Sequence, residues 1–219
     1  MHSFLSSLLF PQENACHFCE RFLEDRGVLC AACQSALASE ALAQPLSAHS
    51  FAHLFASLSA FRYQGMARQL IHRFKYSADG ALAQPLGEAM LRVLAANPAL
   101  YRRIDLAIPV PLHPDRLRQR GYNQAELLSR AVARPARLAV AANGLQRIHP
   151  TDTQVGRSRA QRMQAMRGAF AVPEASAIRD KCILLVDDVI TTGATASACA
   201  SALRQAGAAE IILLTACRA

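Results

Sequence analysis

Residues 182–195 read Cys-Ile-Leu-Leu-Val-Asp-Asp-Val-Ile-Thr-Thr-Gly-Ala-Thr. Five apolar residues run into two adjacent acids, and a polar loop with one glycine then leads into an alanine-rich segment. Such an order is typical of the strand–loop–helix unit of a parallel α/β sheet. Ligands bind these sheets at the carboxyl ends of the strands. We therefore expect Asp187, Asp188 and the loop to lie at a binding site.

The loop has the composition of a phosphate site. Gly193 lets the backbone approach an anion closely, and the three threonines of the loop offer hydroxyl groups. The free N–H groups at the start of the following helix favour negative charge. Asp187 and Asp188 would repel a phosphate, so they are better suited to accept hydrogen bonds from sugar hydroxyls. Together these features indicate a ribose 5-phosphate ligand.

The order acid-acid-apolar-apolar-Thr-Thr-Gly-x-Thr resembles the motif with which type I phosphoribosyltransferases bind 5-phosphoribosyl diphosphate (PRPP). It is not a P-loop, because no lysine follows the glycine. The alternative is an ordinary strand, turn and helix with a threonine-rich N-cap, which would not need two consecutive acids. The residues expected to bind PRPP and its phosphate are Asp187, Asp188, Val189, Ile190, Thr191, Thr192, Gly193, Ala194 and Thr195.

Length and composition set the class of protein. A chain of 219 residues holds one ordinary core, or one domain with a small appendage. With 52% hydrophobic and 18% charged residues it is globular. No apolar run approaches the ~20 residues that cross a bilayer, and residues 4–10 make a poor signal peptide, because no Lys or Arg precedes them. We expect a cytoplasmic protein.

Positive charge is concentrated in the middle of the chain. From Arg102 to Arg167 there are thirteen Arg, no Lys and four acids, a net charge of +9, whereas the remaining residues carry a net charge of −1. The planar guanidinium group pairs with phosphate in a bidentate fashion. The segment therefore indicates a polyanionic ligand, either pyrophosphate or nucleic acid, with a solvated basic surface as the alternative.

Four of the seven cysteines form a C-x2-C-x10-C-x2-C pattern, which brings four thiolates to one tetrahedral zinc ion. The short polar segment between the pairs could not build a core, so a metal would supply its folding free energy. Disulfides are the alternative, although a cytoplasmic protein would keep them reduced. Four thiolates leave no open position, which indicates a structural site. The predicted zinc ligands are Cys16, Cys19, Cys30 and Cys33.

A second anion site is expected where the strand at 104–110 ends. Three prolines lie within the six residues 109–114 and stiffen the backbone. Several Arg and amide side chains come next, and the alternative is a helix N-terminus with exposed arginines. The residues expected to face pyrophosphate are Pro111, Leu112, Arg116, Arg118, Arg120, Asn123 and Gln124.

The remaining pattern predicts alternating strands and helices. Alternation and turn residues predict strands at 55–63, 169–172 and 211–216, helices at 66–76, 81–97 and 194–205, a linker at 36–50 and a mobile Arg-rich arm at 147–170. We expect residues 1–45 to form the zinc-binding segment and residues 46–219 the main domain. Cys182, Cys199 and Cys217 are expected to be small buried hydrophobes.

In this order, the pieces resemble the ComF family of ComFC/GntX-like proteins, and the resemblance covers nearly the whole chain. In this family an Asn often stands three residues after the arm Arg, where this chain has Ala165. The segments that carry the resemblance are the cysteines at 16–33, residues 61–63, 71–76 (Ile-His-Arg-Phe-Lys-Tyr), 110–114 and 116–124, Thr151, Gln154, Arg162, and residues 168–170 and 187–195.

The resemblance implies a type I phosphoribosyltransferase-like parallel sheet flanked by helices and preceded by a small four-cysteine zinc knuckle. It implies that PRPP binds with Mg²⁺ and that Asp187, Asp188 and Arg116 are the catalytic residues. The two acids would hold the ribose hydroxyls, and Arg116 would act at the pyrophosphate. The bond from ribose C1 to pyrophosphate loosens in this chemistry, and Mg²⁺ and Arg stabilise the leaving group. The acceptor is not indicated by any segment.

Two classes of function follow. The first is a phosphoribosyltransferase with an unknown acceptor, with a role in competence or DNA uptake. The second is a non-catalytic protein that senses PRPP, or that binds single-stranded DNA or a DNA-uptake partner through its arginines. Only 6% of the residues are aromatic and none is Trp, which weakens a stacking platform for single strands.

Overall fold

The computed structural model describes residues 14–25, 27–42, 52–77, 79–148 and 168–219. Short 3₁₀ turns lie at Gly80–Leu82 and Ala175–Ala177. The strands are β1 (Ala56–Arg62), β2 (Leu106–Pro109), β3 (Ala139–Val140), β4 (Gln146–Arg147), β5 (Phe170–Ala171), β6 (Cys182–Ile190) and β7 (Glu210–Arg218). The helices are α1 (Ala31–Ser39), α2 (Gly65–Tyr76), α3 (Ala83–Ala95), α4 (Pro98–Tyr101), α5 (Pro114–Arg120), α6 (Gln124–Ala136) and α7 (Ala194–Gln205).

Five strands form one parallel sheet, in the order β1-β7-β6-β2-β3, and this confirms the predicted fold class. β6 lies at the centre, with Val186 opposite Leu214 of β7 on one side and Pro109 of β2 on the other. β4 and β5 form a separate antiparallel pair. The continuous apolar run of β6 suits this place, because a central parallel strand is buried on both faces.

Each face of the sheet packs against its own set of helices. One face carries Leu184, Val186 and Leu214 and packs against α2, α3 and α6. The other carries Leu185 and Leu213 and packs against α7 and the β4–β5 pair. Successive side chains of a strand point to opposite faces, so neighbouring residues of β6 belong to different cores.

The N-terminal segment is fastened to α2 by polar contacts. Glu40 accepts hydrogen bonds from the first backbone N–H groups of the helix. Arg73 donates to the backbone oxygen of His17 at 2.6 Å, and its guanidinium lies over the ring of Phe18. His17 Nδ1 is 2.9 Å from the carboxylate of Asp79. The segment is therefore held against the same helix that borders the sheet.

Several predicted boundaries were wrong. The linker expected at 36–50 begins inside α1, which continues to Ser39 because the second cysteine pair opens a regular helix there; residues 43–50 lie outside the described residues. The arginines that follow the strand at 104–110 lie on the helix α5, which is the alternative given for this segment; Pro114 starts the helix because a proline at the first helical position loses no hydrogen bond. Residues 1–13 and 149–167, and with them most of the expected arm, lie outside the described residues.

Within the described ranges, none of the helices has the length and the apolar character that crossing a lipid bilayer requires.

Candidate functional site

The loop after β6 forms the predicted turn into a helix. β6 ends at Ile190 and α7 begins at Ala194. Gly193 has φ 75°, in the left-handed region, where a side chain would be strained. The backbone N–H of Ser197 donates to the oxygen of Gly193 at 2.8 Å, the first regular bond of the helix. The N–H groups before it therefore lie at the open end of α7, where an anion is favoured.

Eight of the nine residues expected to bind PRPP surround one pocket of about 90 Å³. They share it with Leu213 and Thr215 of β7. Thr215 is itself fixed, because its hydroxyl oxygen is 2.7 Å from that of Ser59 on β1. The residues that line the pocket supply backbone N–H groups, hydroxyl groups and the carboxylate of Asp187. Such a set of groups suits a small phosphorylated polyol.

Asp188 is the ninth residue, and it does not line the pocket, because its side chain points to the opposite face of the sheet. Its Oδ1 atom lies 2.9 Å from Nζ of Lys75, at the end of α2. The acids were expected at the carboxyl end of the strand, and β6 includes both of them and runs on to Ile190. The alternation of side chains along the continuing strand separates the two carboxylates.

The environment raises the pKa of Asp187 to about 7. Burial is the main cause, and the neighbouring negative charge of Asp188 adds to it. The ammonium group of Lys75 and the backbone N–H of Asp188 act in the other direction. That N–H donates to Oδ1 of Asp187 at 2.8 Å. The protonation of this acid therefore changes close to neutral pH.

The arginine-rich helix α5 begins a few residues beyond the carboxyl end of β2. The N–H of Val110 donates to the oxygen of Val186 at 2.8 Å, so the chain leaves β2 directly beside the acids. Pro111 and Leu112 are half-buried at this exit, and Arg116 is exposed one helical turn further on. Arg118 pairs with Asp115.

Arg120 and the two amides that follow have structural contacts. Nη1 of Arg120 donates to Oε1 of Gln124 at 3.1 Å, and its guanidinium lies 5.4 Å from the ring centroid of Tyr76. Asn123 caps α6 and donates to the oxygen of Val110 at 3.1 Å. Gln124 is buried. These contacts fix the segment between β2 and α6, so both amides have a structural role in positioning it.

Two residues in contact with the site were not predicted to belong to it: Lys75, which pairs with Asp188, and Thr215, which lines the pocket. Arg147 lies in β4 beside the ring of Phe170, and its pKa is lowered by burial and by the charge of Arg116. The sequence contained one indication for Lys75: the chain has 22 Arg and only two Lys, so a lysine at any position is unusual. Thr215 carried none, since only the pairing of β7 with β6 brings it to the pocket.

The four N-terminal cysteines lie together, as their spacing predicted. Their sulfur atoms are all within 4.8 Å of one another, against about 3.8 Å for the edge of a tetrahedron with ~2.3 Å zinc–sulfur bonds. The backbone N–H of Cys30 points at Sγ of Cys16 from 3.3 Å. Burial alone would raise the pKa of Cys16, but backbone N–H groups hold it down at about 6. The cluster could hold a metal such as zinc.

Comparison with known proteins agrees with this geometry. Residues 126–219 match the family model of the phosphoribosyl transferase domain. The chain is 36% identical over 147 residues to Competence protein F of Haemophilus influenzae, a match that covers 65% of this chain and 63% of that protein. It is 31% identical over 151 residues to DNA utilization protein YhgH of Escherichia coli O157:H7, covering 68% and 66%.

A longer match covers 94% of this chain and 84% of Competence protein ComFC of Bacillus subtilis, at 25% identity over 220 residues. The two more similar relatives are matched over somewhat less than two thirds of their own length. The domain model begins within α6 and takes in both acids, the loop and α7.

Proposed function

Because this chain belongs to the ComF family and carries a phosphoribosyl transferase domain, we propose that it binds PRPP with Mg²⁺ and transfers the phosphoribosyl group to an acceptor. The proposed site is the pocket at the carboxyl end of β6. The observation that supports it most is the juxtaposition in one pocket of Asp187 with the N-terminus of α7. A carboxylate accepts hydrogen bonds from ribose hydroxyls, and the helix N-terminus binds the 5-phosphate.

The diphosphate of PRPP would lie on the side of β2 and α5. β2 pairs with β6, so the exit through Pro111 and Leu112 borders the acids. Arg116 is exposed there and can reach toward a negative group. Mg²⁺ prefers oxygen ligands and would be held by the oxygens of the diphosphate and by water. It would supply positive charge to the leaving group.

The chain's own residues then act by position and charge. The carboxylate of Asp187 fixes the ribose, and the N–H groups of the loop fix its phosphate. As the bond from C1 to the diphosphate loosens, positive charge develops on the sugar, and Arg116 stabilises the departing negative charge. Arg118 and Arg120 add to the positive potential although each has a local partner.

The cysteine cluster would hold one structural zinc ion. Four thiolates complete a tetrahedral shell and leave no position for a substrate. The bound segment is fastened to α2 through His17, Arg73 and Glu40. We therefore propose that the zinc ion stabilises the N-terminal segment in its contact with α2.

A binding role without catalysis is the second candidate, and it rests on the charge of the chain and on the names of its relatives. The segment from Arg102 to Arg167 carries a net charge of +9, which suits a nucleic acid. Relatives are named for competence and DNA utilization. The protein would then sense PRPP, or bind single-stranded DNA or a DNA-uptake partner.

Calorimetry with PRPP and MgCl₂ tests the site. We expect the double change Asp187→Asn and Asp188→Asn to weaken binding at least about tenfold, since hydrogen bonds to charged groups contribute about 1.5–3 kcal/mol. The exposed Glu88→Gln is the control, because it removes a carboxylate charge outside the pocket. Binding by the double variant as tight as that of the wild type would overturn the assignment.

Two further measurements separate the candidates. Release of pyrophosphate from PRPP with a base or amine acceptor supports transfer, whereas binding without release supports the sensor. A filter assay with a single-stranded oligonucleotide at several salt concentrations addresses the DNA role. Replacing Arg116, Arg118 and Arg120 by Gln should then flatten the salt dependence by about 0.7 per lost phosphate contact. An unchanged slope contradicts a DNA contact at α5.

A further inference from the structure

The last turn of α2 brings a lysine to the acid pair. Nζ of Lys75 lies 2.9 Å from Oδ1 of Asp188, and the two side chains are 19% and 11% exposed. The only other lysine of the chain, Lys181, precedes the opposite end of β6. In a chain with 22 Arg, a lysine at this point supplies a compact charge on a flexible stem in place of a planar fork.

An ion pair as buried as this one is a poor source of stability. Removing two charges from water costs free energy that their attraction only partly offsets. Well-packed apolar side chains at the two positions would stabilise the protein as much or more. The position of the pair is more informative, because Asp188 is the direct neighbour of the acid that lines the pocket.

The groups around the acids show what the ammonium does. The charge of Asp187 acts on Cys199 of α7, and the charge of Asp188 acts on Cys217 of β7. Burial and the acids raise the pKa of both thiols, so both are neutral near pH 7. Among the described residues, Lys75 is thus the cation that opposes the effects of burial and of the charge of Asp188 on Asp187.

We propose that Lys75 is a positioning residue of the PRPP site, which holds Asp188 toward α2 and leaves Asp187 charged and alone to accept the ribose hydroxyls. The two acids then have different roles, although they are adjacent in sequence. The inference rests on the proposed function. It adds that a residue from a different core, more than a hundred positions earlier in the chain, sets the charge of the pocket.

The sign of the pH dependence follows from the pair. Asp187 is charged above a pKa of about 7 and becomes protonated as the pH falls through it. The wild type should therefore lose affinity for PRPP as the pH is lowered through about 7. Without the ammonium Asp187 takes up its proton at higher pH. The affinity of a Lys75→Met variant should fall earlier, with the midpoint raised by about one pH unit.

The test is calorimetry with PRPP and MgCl₂ from pH 6 to 9 on the wild type, Lys75→Met, Lys75→Arg and the control Lys181→Met. The ligand's own titration is common to all four proteins, so the differences report the protein. We expect a raised midpoint for Lys75→Met, recovery in Lys75→Arg and no change in Lys181→Met. Equal Tm values for folded variants would show that stability is not the cause.

Carbon-13 NMR of the aspartate carboxyl groups gives a readout without ligand. The titration of Asp187 should move to higher pH in Lys75→Met and return in Lys75→Arg. If the wild type binds PRPP and Lys75→Met gives the same pH midpoint, Lys75 has no role in the site and the inference is wrong. If the wild type binds no PRPP at any pH, the proposed function itself fails, and the positioning role fails with it.

Discussion

Replacing Glu40 with alanine should loosen the contact between the N-terminal segment and α2. Oε1 of Glu40 accepts from the N–H of Met66 at 2.8 Å, and Oε2 accepts from the N–H of Ala67 at 3.0 Å. Gln64, at the N-cap position, makes no side-chain cap of its own. A carboxylate from another segment therefore caps the helix on whose last turn Lys75 lies.

The expected cost combines two effects. Loss of a capping side chain destabilises a protein by about 0.5–2 kcal/mol. Loss of a negative charge at a helix N-terminus adds about 0.3–1 kcal/mol. Because Glu40 makes both of its bonds in a half-buried position, we expect a decrease of about 2 kcal/mol in the free energy of unfolding. Glu40→Gln keeps an acceptor and should lose about half as much.

Urea unfolding followed by circular dichroism measures this change. The midpoint should fall while the slope m stays constant, and Tm should fall by about 4–8 °C in a protein of this size. Glu24→Ala is the matched control, because Glu24 is an exposed acid of the same segment. A loss in Glu40→Ala within about 0.5 kcal/mol of that control would refute the capping argument.

A second variant approaches the same contact from the helix. Gly65 has φ 51°, and a Cβ there would lie 2.3 Å from Oε1 of Glu40. Gly65→Ala should therefore displace the carboxylate and also strain the backbone by about 1–2 kcal/mol. Combined with Glu40→Ala, it should cost less than the sum of the single changes, because both remove the same cap.

Three other results are expected. Gly87→Ala should destabilise the protein by about 1–3 kcal/mol, since the new Cβ would lie 2.4 Å from that of Ala131; urea unfolding that gives wild-type stability would contradict this packing. A chelator should release about one zinc ion per chain and lower Tm, whereas much less than one zinc after mild purification would argue against the metal. Iodoacetamide at pH 7.5 should leave Cys199 and Cys217 unmodified in the folded protein, because burial raises the pKa of both thiols, that of Cys217 to about 12; mass spectrometry would detect a rapid modification that overturns this.

Local pattern was enough to predict the loop and its helix. The apolar run from Cys182, the glycine at 193 and the helix to Gln205 are each fixed by neighbours in sequence. The cysteine cluster was predictable for the same reason, because its spacing alone brings the ligands together. These parts depend on short stretches of chain, in which one pattern dominates.

Features of the site that depend on contacts between residues far apart in sequence could not be predicted. Both acids were expected to face one ligand, but a strand that continues to Ile190 turns Asp187 and Asp188 to different faces. The partner of Asp188 comes from α2, and nothing local to either residue indicates that contact. Gln124 was assigned to pyrophosphate, yet its buried amide donates to the backbone oxygen of Phe74 at 3.4 Å. A polar side chain in a loop has the same sequence signature in either role.

The order of the strands also has a consequence for how the protein is made. The strand nearest the carboxyl end of the chain, β7, lies between β1 and β6, and it pairs Thr215 with Ser59 across 156 positions. Among the described strands, β1 pairs only with β7. During synthesis it therefore stays unpaired in the sheet until residues 210–218 have been made. Until then one apolar edge stays exposed to other chains. We expect nascent chains that stop before β7 to be targets for chaperones and proteases, and we expect resistance to proteases to appear once this strand has emerged.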